Sequence, residues 1–384
     1  MTGWSSQPEV AGVGRSAGVP IPARVVEVRV PTEGAGTQGA VDLAPPGLTC
    51  ATPPAAAGRG VSAALAAVME LGKPRITRLV ALTALGGAAL GLVGKPWTPG
   101  AAWVMLGGVA IGTALSSAGA NALNQCIERG RDALMHRTRH RPLPSRRLSL
   151  SAAAWAGAAM LGTGLAVLWL LCGPAAAVIS ALAALVYVAV YTPMKPRSVL
   201  NTWVGTIPGA LPPLIGWAAA AEAVSVAAGG GSPAAAGFRS LLDGGGWSLF
   251  TLMAVWQIPH FLALAWVYRE DYARGGYRML PVVDPTGRAT VTQIVIWAAL
   301  LVPASLSPWL AMPGRVGLLY GVIAGVSGVW YLIEAARLVG DRSPARARRV
   351  FLFSVMHLPL LVGALTASCL WPEAWVPALL RGTP

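Results

Sequence analysis

The sequence predicts an all-α integral membrane protein with nine transmembrane helices. Three observations carry that reading. The 384 residues are 55% hydrophobic and only 11% charged, whereas soluble domains average about 25% charged. Nine apolar runs, at about 79–94, 101–123, 151–172, 174–192, 200–221, 247–268, 290–311, 316–336 and 350–371, each approach the roughly 20 residues that cross a hydrocarbon core. They are continuous rather than alternating, which selects helices over a closed barrel. Finally, with nine spans, 21 of the 29 Lys and Arg residues fall on one side, four on the other, and four in the N-terminal tail. The positive-inside rule places the 21 in the cytoplasm, with the N-terminus inside and the C-terminus outside. The net charge of +14 is therefore assigned to membrane topology, and no nucleic-acid partner is expected.

Residues 1–60 are rich in Gly, Pro, Ala, Ser and Thr and lack the apolar core of a signal peptide. They read as a disordered cytoplasmic tail, leaving 61–384 as the polytopic domain. Cys50, Cys126, Cys172 and Cys369 form no CxxC pair, so neither a disulfide framework nor a zinc site is inferred. Lys73, Pro74 and Arg75 precede the first span and read as a cationic anchor with proline at the start of a helix.

The second span is full of small residues, which let helices approach closely. It delivers NALNQCIERGRDALMHRTRHRPLPSRR, Asn121 to Arg147. Asn124, Glu128 and Asp132, spaced i, i+4, i+8, share one helix face. Three oxygen-bearing side chains on one face suit Mg²⁺, a hard cation. Gly130 lies between the two acids and predicts a bent last turn. Arg137, Arg139 and Arg141 follow, with forks suited to phosphate oxygens. The pattern points to a metal–diphosphate complex; a solvated, salt-bridged loop at a membrane exit fits the spacing equally well.

The third and fourth spans are separated only by Cys172-Gly173-Pro174. After the fourth comes YTPMKPRS, whose Lys195 and Arg197 add charge on the same side. Pro208, Pro212 and Pro213 interrupt the fifth span; such a break is tolerated where it lines a cavity or is covered by protein. The sixth span carries WQIPHFLALAWVYREDYARGGYRMLPV, from Trp256. Gln257, His260, Leu264, Tyr268 and Asp271 fall in one stripe about 80° wide. Asp271 lands on the same side as the first acids, where it permits a second metal or a fourth ligand to the first. Glu334 and His357, in the last spans, read as packing residues.

These motifs resemble the intramembrane prenyltransferases of the UbiA superfamily, and within it the haem branch. KPRIT, the N-x-x-x-[DE]-x-x-x-D box with its arginines, YTPMKPRS, GALPPLIGW and WQIPHF carry the resemblance, from about Glu70 to Trp371. Glu128 in the middle of the first box, and Gly275 where a second aspartate would stand, are features of the haem branch. His140 and Pro196 depart from its more common residues.

The resemblance implies nine helices around a central cavity. It also implies transfer of the farnesyl group of farnesyl diphosphate to a vinyl group of haem b, giving haem O and pyrophosphate. Asn124, Glu128, Asp132 and Asp271 would hold Mg²⁺; Arg137, Arg141 and Lys195 would bind the diphosphate. His260, Gln257 and Trp256 would contact haem, and Trp256 and Tyr268 could flank the cation. A bacterial plasma membrane is the expected location. Haem A synthase or terminal-oxidase assembly proteins are the expected protein partners. Competing readings are a UbiA-type enzyme with an aromatic acceptor, a polytopic transporter, and a non-catalytic haem-binding protein.

Overall fold

The computed structural model describes residues 60–229 and 231–370. The tail read from residues 1–60 and the Trp371 end of the ninth run therefore lie outside the described residues, apart from Gly60 itself. Among the described residues, nine helices are long and apolar enough to cross a membrane. A short helix, α1 (Val61–Leu71), precedes them. The first four spans are α2 (Pro74–Leu92), α3 (Pro99–Asp132), α4 (Leu150–Cys172) and α5 (Pro174–Leu185). The α5 span continues through a π-helical turn, Val186–Tyr191, to Met194. The proline-rich fifth span is two helices, α6 (Asn201–Ala210) and α7 (Pro212–Ala227). Next come α8 (Gly244–Val267) and a short α9 (Arg269–Arg274), then α10 (Arg288–Ala311), α11 (Leu318–Ala336) and α12 (Pro344–Leu370).

Small residues set the spacing in the first half of the bundle. A Cβ on Gly119 would lie 2.4 Å from the Leu161 nitrogen, and one on Gly164 2.3 Å from that of Ser116. The α3 and α4 backbones thus touch where a side chain would keep them apart. The second half packs through larger groups: Trp256, Leu262 and Trp266 of α8 share a core with Ile294 and Leu301 of α10 and Tyr331 of α11.

Two local expectations change. The helix carrying the first acids runs unbroken through Gly130 to Asp132, so no bend separates Glu128 from Asp132. A helical glycine costs only about 1 kcal/mol, and the ion pairs described below hold that turn. The predicted stripe on the sixth span is interrupted instead. The α8 helix ends at Val267, Tyr268 leaves helical geometry (φ −108°, ψ 23°), and α9 carries Asp271 in a new direction.

The connections that carry most of the charge meet at one end of the bundle. Arg147 pairs with Glu70 at 2.7 Å, the Arg278 N–H donates to the Lys195 carbonyl at 2.9 Å, and Arg342 donates to the Thr286 carbonyl at 3.4 Å. At the far end, the Glu222 carboxylate accepts the Ala175 N–H at the start of α5, at 3.3 Å.

Candidate active site

A cavity of about 500 Å³ opens at the charged end and runs into the bundle. Its mouth is bordered by Lys73, Glu128, Asp132, Arg137, Arg141 and Lys195. Its interior is apolar and aromatic, with Ile76, Leu79, Met253, Trp256, Phe261 and Phe351 on its walls.

The acids arrive through α3. Glu128 and Asp132 are one turn apart on one face and are 5% and 1% exposed, so each needs a counter-charge. Arg141 Nη1 lies 2.8 Å from Asp132 Oδ2, and Lys195 Nζ lies 2.8 Å from Glu128 Oε1. The second contact fills Glu128 Oε1 with an ammonium. Asp132 Oδ1 is buried without a donor. Two neighbouring carboxylates, one of them with an oxygen that no donor fills among the described residues, are a donor set that fits a hard divalent cation. Asn124, a turn deeper, does not border the cavity. Its Oδ1 accepts from Lys73 Nζ at 2.9 Å, and its Nδ2 donates to Thr192 at 2.9 Å.

Asp271 reaches the same end from α9, yet it meets backbone. Its Oδ1 accepts the His136 N–H at 2.8 Å, its Oδ2 accepts the Arg137 N–H at 3.2 Å, and Arg274 lies 3.1 Å from Oδ1. Arg131 ties the two motifs a second time by donating to the Gly275 and Gly276 carbonyls. The loop that presents Arg137 and Arg141 is thus pinned to the second motif. Arg137 also stacks on Tyr268 and Tyr272, 5.2 and 5.6 Å from the ring centres. Arg139 turns aside to His140 and does not border the cavity.

Several residues that sequence reasoning passed over belong here. Lys73 has a left-handed backbone (φ 49°) between α1 and α2, a strained turn that sends its amine to Asn124 and the Tyr187 hydroxyl. Burial, with Arg141 and Lys195 nearby, pushes that amine down to about 7, against the pull of Glu128 and Asp132. Burial also works against the Lys195 charge, but Tyr191 and Glu128 outweigh it and hold that amine well above its ordinary value. Its ammonium sits 4.6 Å from the Tyr191 ring centre. Tyr187 and Tyr191 stack across the π-helical turn at 5.6 Å; such turns re-aim side chains and recur at functional sites. Tyr277 borders the cavity with a buried hydroxyl in reach of the Glu128 carboxylate. Burial and the Glu128 charge raise its pKa far above the ordinary value, so it remains a neutral donor. The sequence signals were the KPRIT position of Lys73 and the tyrosines flanking Lys195 and Gly276.

Deeper in the cavity, α8 contributes Trp256, Gln257, His260 and Leu264. Tyr268 and Asp271, the other members of the predicted stripe, do not border it. Gln257 Nε2 donates to the Met253 carbonyl at 3.0 Å and to the Thr206 carbonyl at 3.4 Å. His260 stacks on Trp256 with ring centres 4.8 Å apart.

Comparison with known proteins agrees with this layout. Residues 80–379 match the UbiA prenyltransferase family. The chain is 43% identical over 299 residues to a protein named protoheme IX farnesyltransferase from Solibacter usitatus, covering 77% of this chain and 96% of that one. It is 41% identical over 298 residues to the protein of the same name from Salinibacter ruber, covering 77% and 95%. Its fold is similar to a UbiA homolog from Archaeoglobus fulgidus, solved bound to GPP and Mg²⁺, with a TM-score of 0.52 at 16% identity, covering 78% and 99% of the two chains. Nine spans, an acid-and-arginine mouth on a greasy chamber and a match over most of the length converge: the chain belongs to the UbiA prenyltransferase family.

Proposed function

We propose that the chain joins the farnesyl group of farnesyl diphosphate to a vinyl group of protohaem IX, adds water and releases pyrophosphate, giving haem O for haem–copper oxidases. The observation that carries this is the pairing of two carboxylates with four cationic side chains at one end of an apolar, aromatic-walled cavity, in a chain whose relatives bear that activity in their name.

A diphosphate needs positive charge, and Lys73, Arg137, Arg141 and Lys195 supply it where the surroundings are of low dielectric and such charges act strongly. Glu128 and Asp132 would hold Mg²⁺, with Asn124 behind them, and Asp271 at the same end is a further candidate. The bound cation would supply Lewis-acid stabilisation of the departing pyrophosphate. In this reading Arg141 and Lys195 exchange their carboxylate partners for phosphate oxygens. Tyr277 offers a neutral hydroxyl to the same group. The isoprenoid and the porphyrin occupy the apolar interior, which keeps water from an allylic cation. Trp256 presents a π face, and Gln257 and His260 contact haem. The charged end faces the cytoplasm of a bacterial plasma membrane, by the positive-inside rule.

The test is pigment analysis. The chain is expressed, haems are extracted, and their masses are read. A haem heavier by one farnesyl group and one water is expected; haem b alone, with the protein present in the membrane, refutes the assignment.

A further inference from the structure

His260 is held at Nδ1 by a hydroxyl from the last span. The Ser354 hydroxyl donates its single proton to the Phe351 carbonyl at 2.6 Å. Its oxygen is also 2.7 Å from His260 Nδ1. When the hydroxyl proton goes to that carbonyl, the Ser354 oxygen accepts from Nδ1–H and Nε2 keeps a lone pair. The ring is held on several sides. Trp256 stacks on it at 4.8 Å, while its own Nε1 donates to the Ser354 carbonyl at 2.9 Å. Phe351 lies 5.0 Å away and Phe261 5.4 Å. Among the described residues nothing bonds Nε2, and the ring borders the cavity.

The proline-interrupted fifth span forms another part of the cavity wall. Pro208, Pro212 and Pro213 have no N–H, so the carbonyls of Val204, Pro208 and Gly209 lose their helical donor. Pro208 and Gly209 border the cavity. Gln257 Oε1 lies against Gly209, where a Cβ would come within 2.0 Å of it. The Gln257 amide and the His260 imidazole, three residues apart on α8 and both bordering the cavity, offer polar partners to a water there. The two carboxylates lie at the mouth, where in the reading above they would hold the cation, and not beside the His260 end of the cavity.

We propose that His260 Nε2 is the general base that removes the proton from the water added in the reaction, and that Ser354 is the positioning residue that holds it in the basic tautomer. This rests on the haem-farnesylating reading above. The farnesyl C1–O bond breaks and its electron pair leaves with the diphosphate. The vinyl π electrons bond C1 to the terminal vinyl carbon, leaving the carbon next to the porphyrin electron-deficient. A water oxygen bonds that carbon, and one of its protons passes to Nε2. Without the base, the same cation loses a proton from the adjacent CH₂ and becomes an alkene.

The experiment uses the full chain in lipid nanodiscs with farnesyl diphosphate, Mg²⁺ and haem b, comparing wild type with His260→Gln, Ser354→Ala and Ser354→Thr. Pyrophosphate release and haem product masses are recorded together. In His260→Gln, per unit of pyrophosphate released, hydrated product falls by about a hundredfold relative to a product lighter by one water, the size of a typical general-base contribution. Ser354→Ala shifts the same ratio part of the way and Ser354→Thr restores it. An unchanged ratio in His260→Gln overturns the proposal, as does loss of pyrophosphate release in step with product, which marks a binding role. If His260→Gln does not accumulate in the membrane, an unchanged ratio in Ser354→Ala overturns it. Failure of the wild type to farnesylate haem would instead refute the underlying activity.

Discussion

At the scale of single residues, Asp271 is the most informative position. Both its oxygens accept backbone N–H groups from the loop that bears Arg137 and Arg141. If it acts through that loop, Asp271→Ala frees the arginines. The expected outcome in steady-state assays is a KM for farnesyl diphosphate raised about tenfold or more, since losing a hydrogen bond to a charged group costs about 1.5–3 kcal/mol. A loss confined to kcat would instead assign Asp271 to the cation. Sequence spacing could place Asp271 at the right end, but not show what its oxygens touch. Lys73 was harder to read. A lysine before a span is ordinarily an anchor, and only the left-handed turn at that residue directs its amine inward. Tyr187, Tyr191 and Tyr277 gave little signal for the same reason: their place depends on a π-helical turn and on a connection packed back against α3, neither of which has a sequence period.

At the scale of elements, the spans were legible because burial in lipid demands long apolar runs. The local break at Tyr268 was not, because periodicity continues across it. Two elements give tests. The α3–α4 contact depends on bare backbone at Gly119 and Gly164. Gly164→Leu forces the helices apart, and overpacking of this kind costs about 1–3 kcal/mol or more. Thermal unfolding in detergent should show a lowered midpoint, whereas Gly162→Leu, where a Cβ would meet nothing within 4 Å, should leave it near wild type. The start of α10 depends on Asp284, whose Oδ2 accepts the Thr290 N–H at 2.9 Å and the Thr290 hydroxyl at 3.1 Å. Burial alone would raise its pKa, but those bonds and the Thr286 hydroxyl lower it below the ordinary 3.8. A carboxyl depressed by folding contributes stability above its unfolded pKa and loses it as pH falls through the folded value. Asp284→Ala should therefore cost about 1 kcal/mol at pH 7, a difference from wild type that shrinks as pH falls through the lowered pKa of the folded carboxyl.

At the scale of the whole molecule, the asymmetry of Lys and Arg and the position of the cavity mouth refer to one end of the bundle. Alkaline phosphatase, active only outside the cytoplasm, should be inactive when fused after Arg342 and active when fused after Gly229. The reverse result would invert the membrane orientation. The placement of substrate charge was half legible: the acids and arginines lie in one stretch of sequence, but their union with Lys73, Lys195 and Tyr277 exists only in the folded bundle.

The central claim is that this union binds and activates a prenyl diphosphate. The most direct test is pyrophosphate release from farnesyl diphosphate by the purified protein with haem b, comparing wild type with Asp132→Asn, which keeps the shape and removes the charge. The account predicts cation-dependent release by wild type and a loss of about 10²–10³ in rate for the variant, comparable to deleting one electrostatic stabiliser of a transition state. Release at the wild-type rate by Asp132→Asn would contradict it.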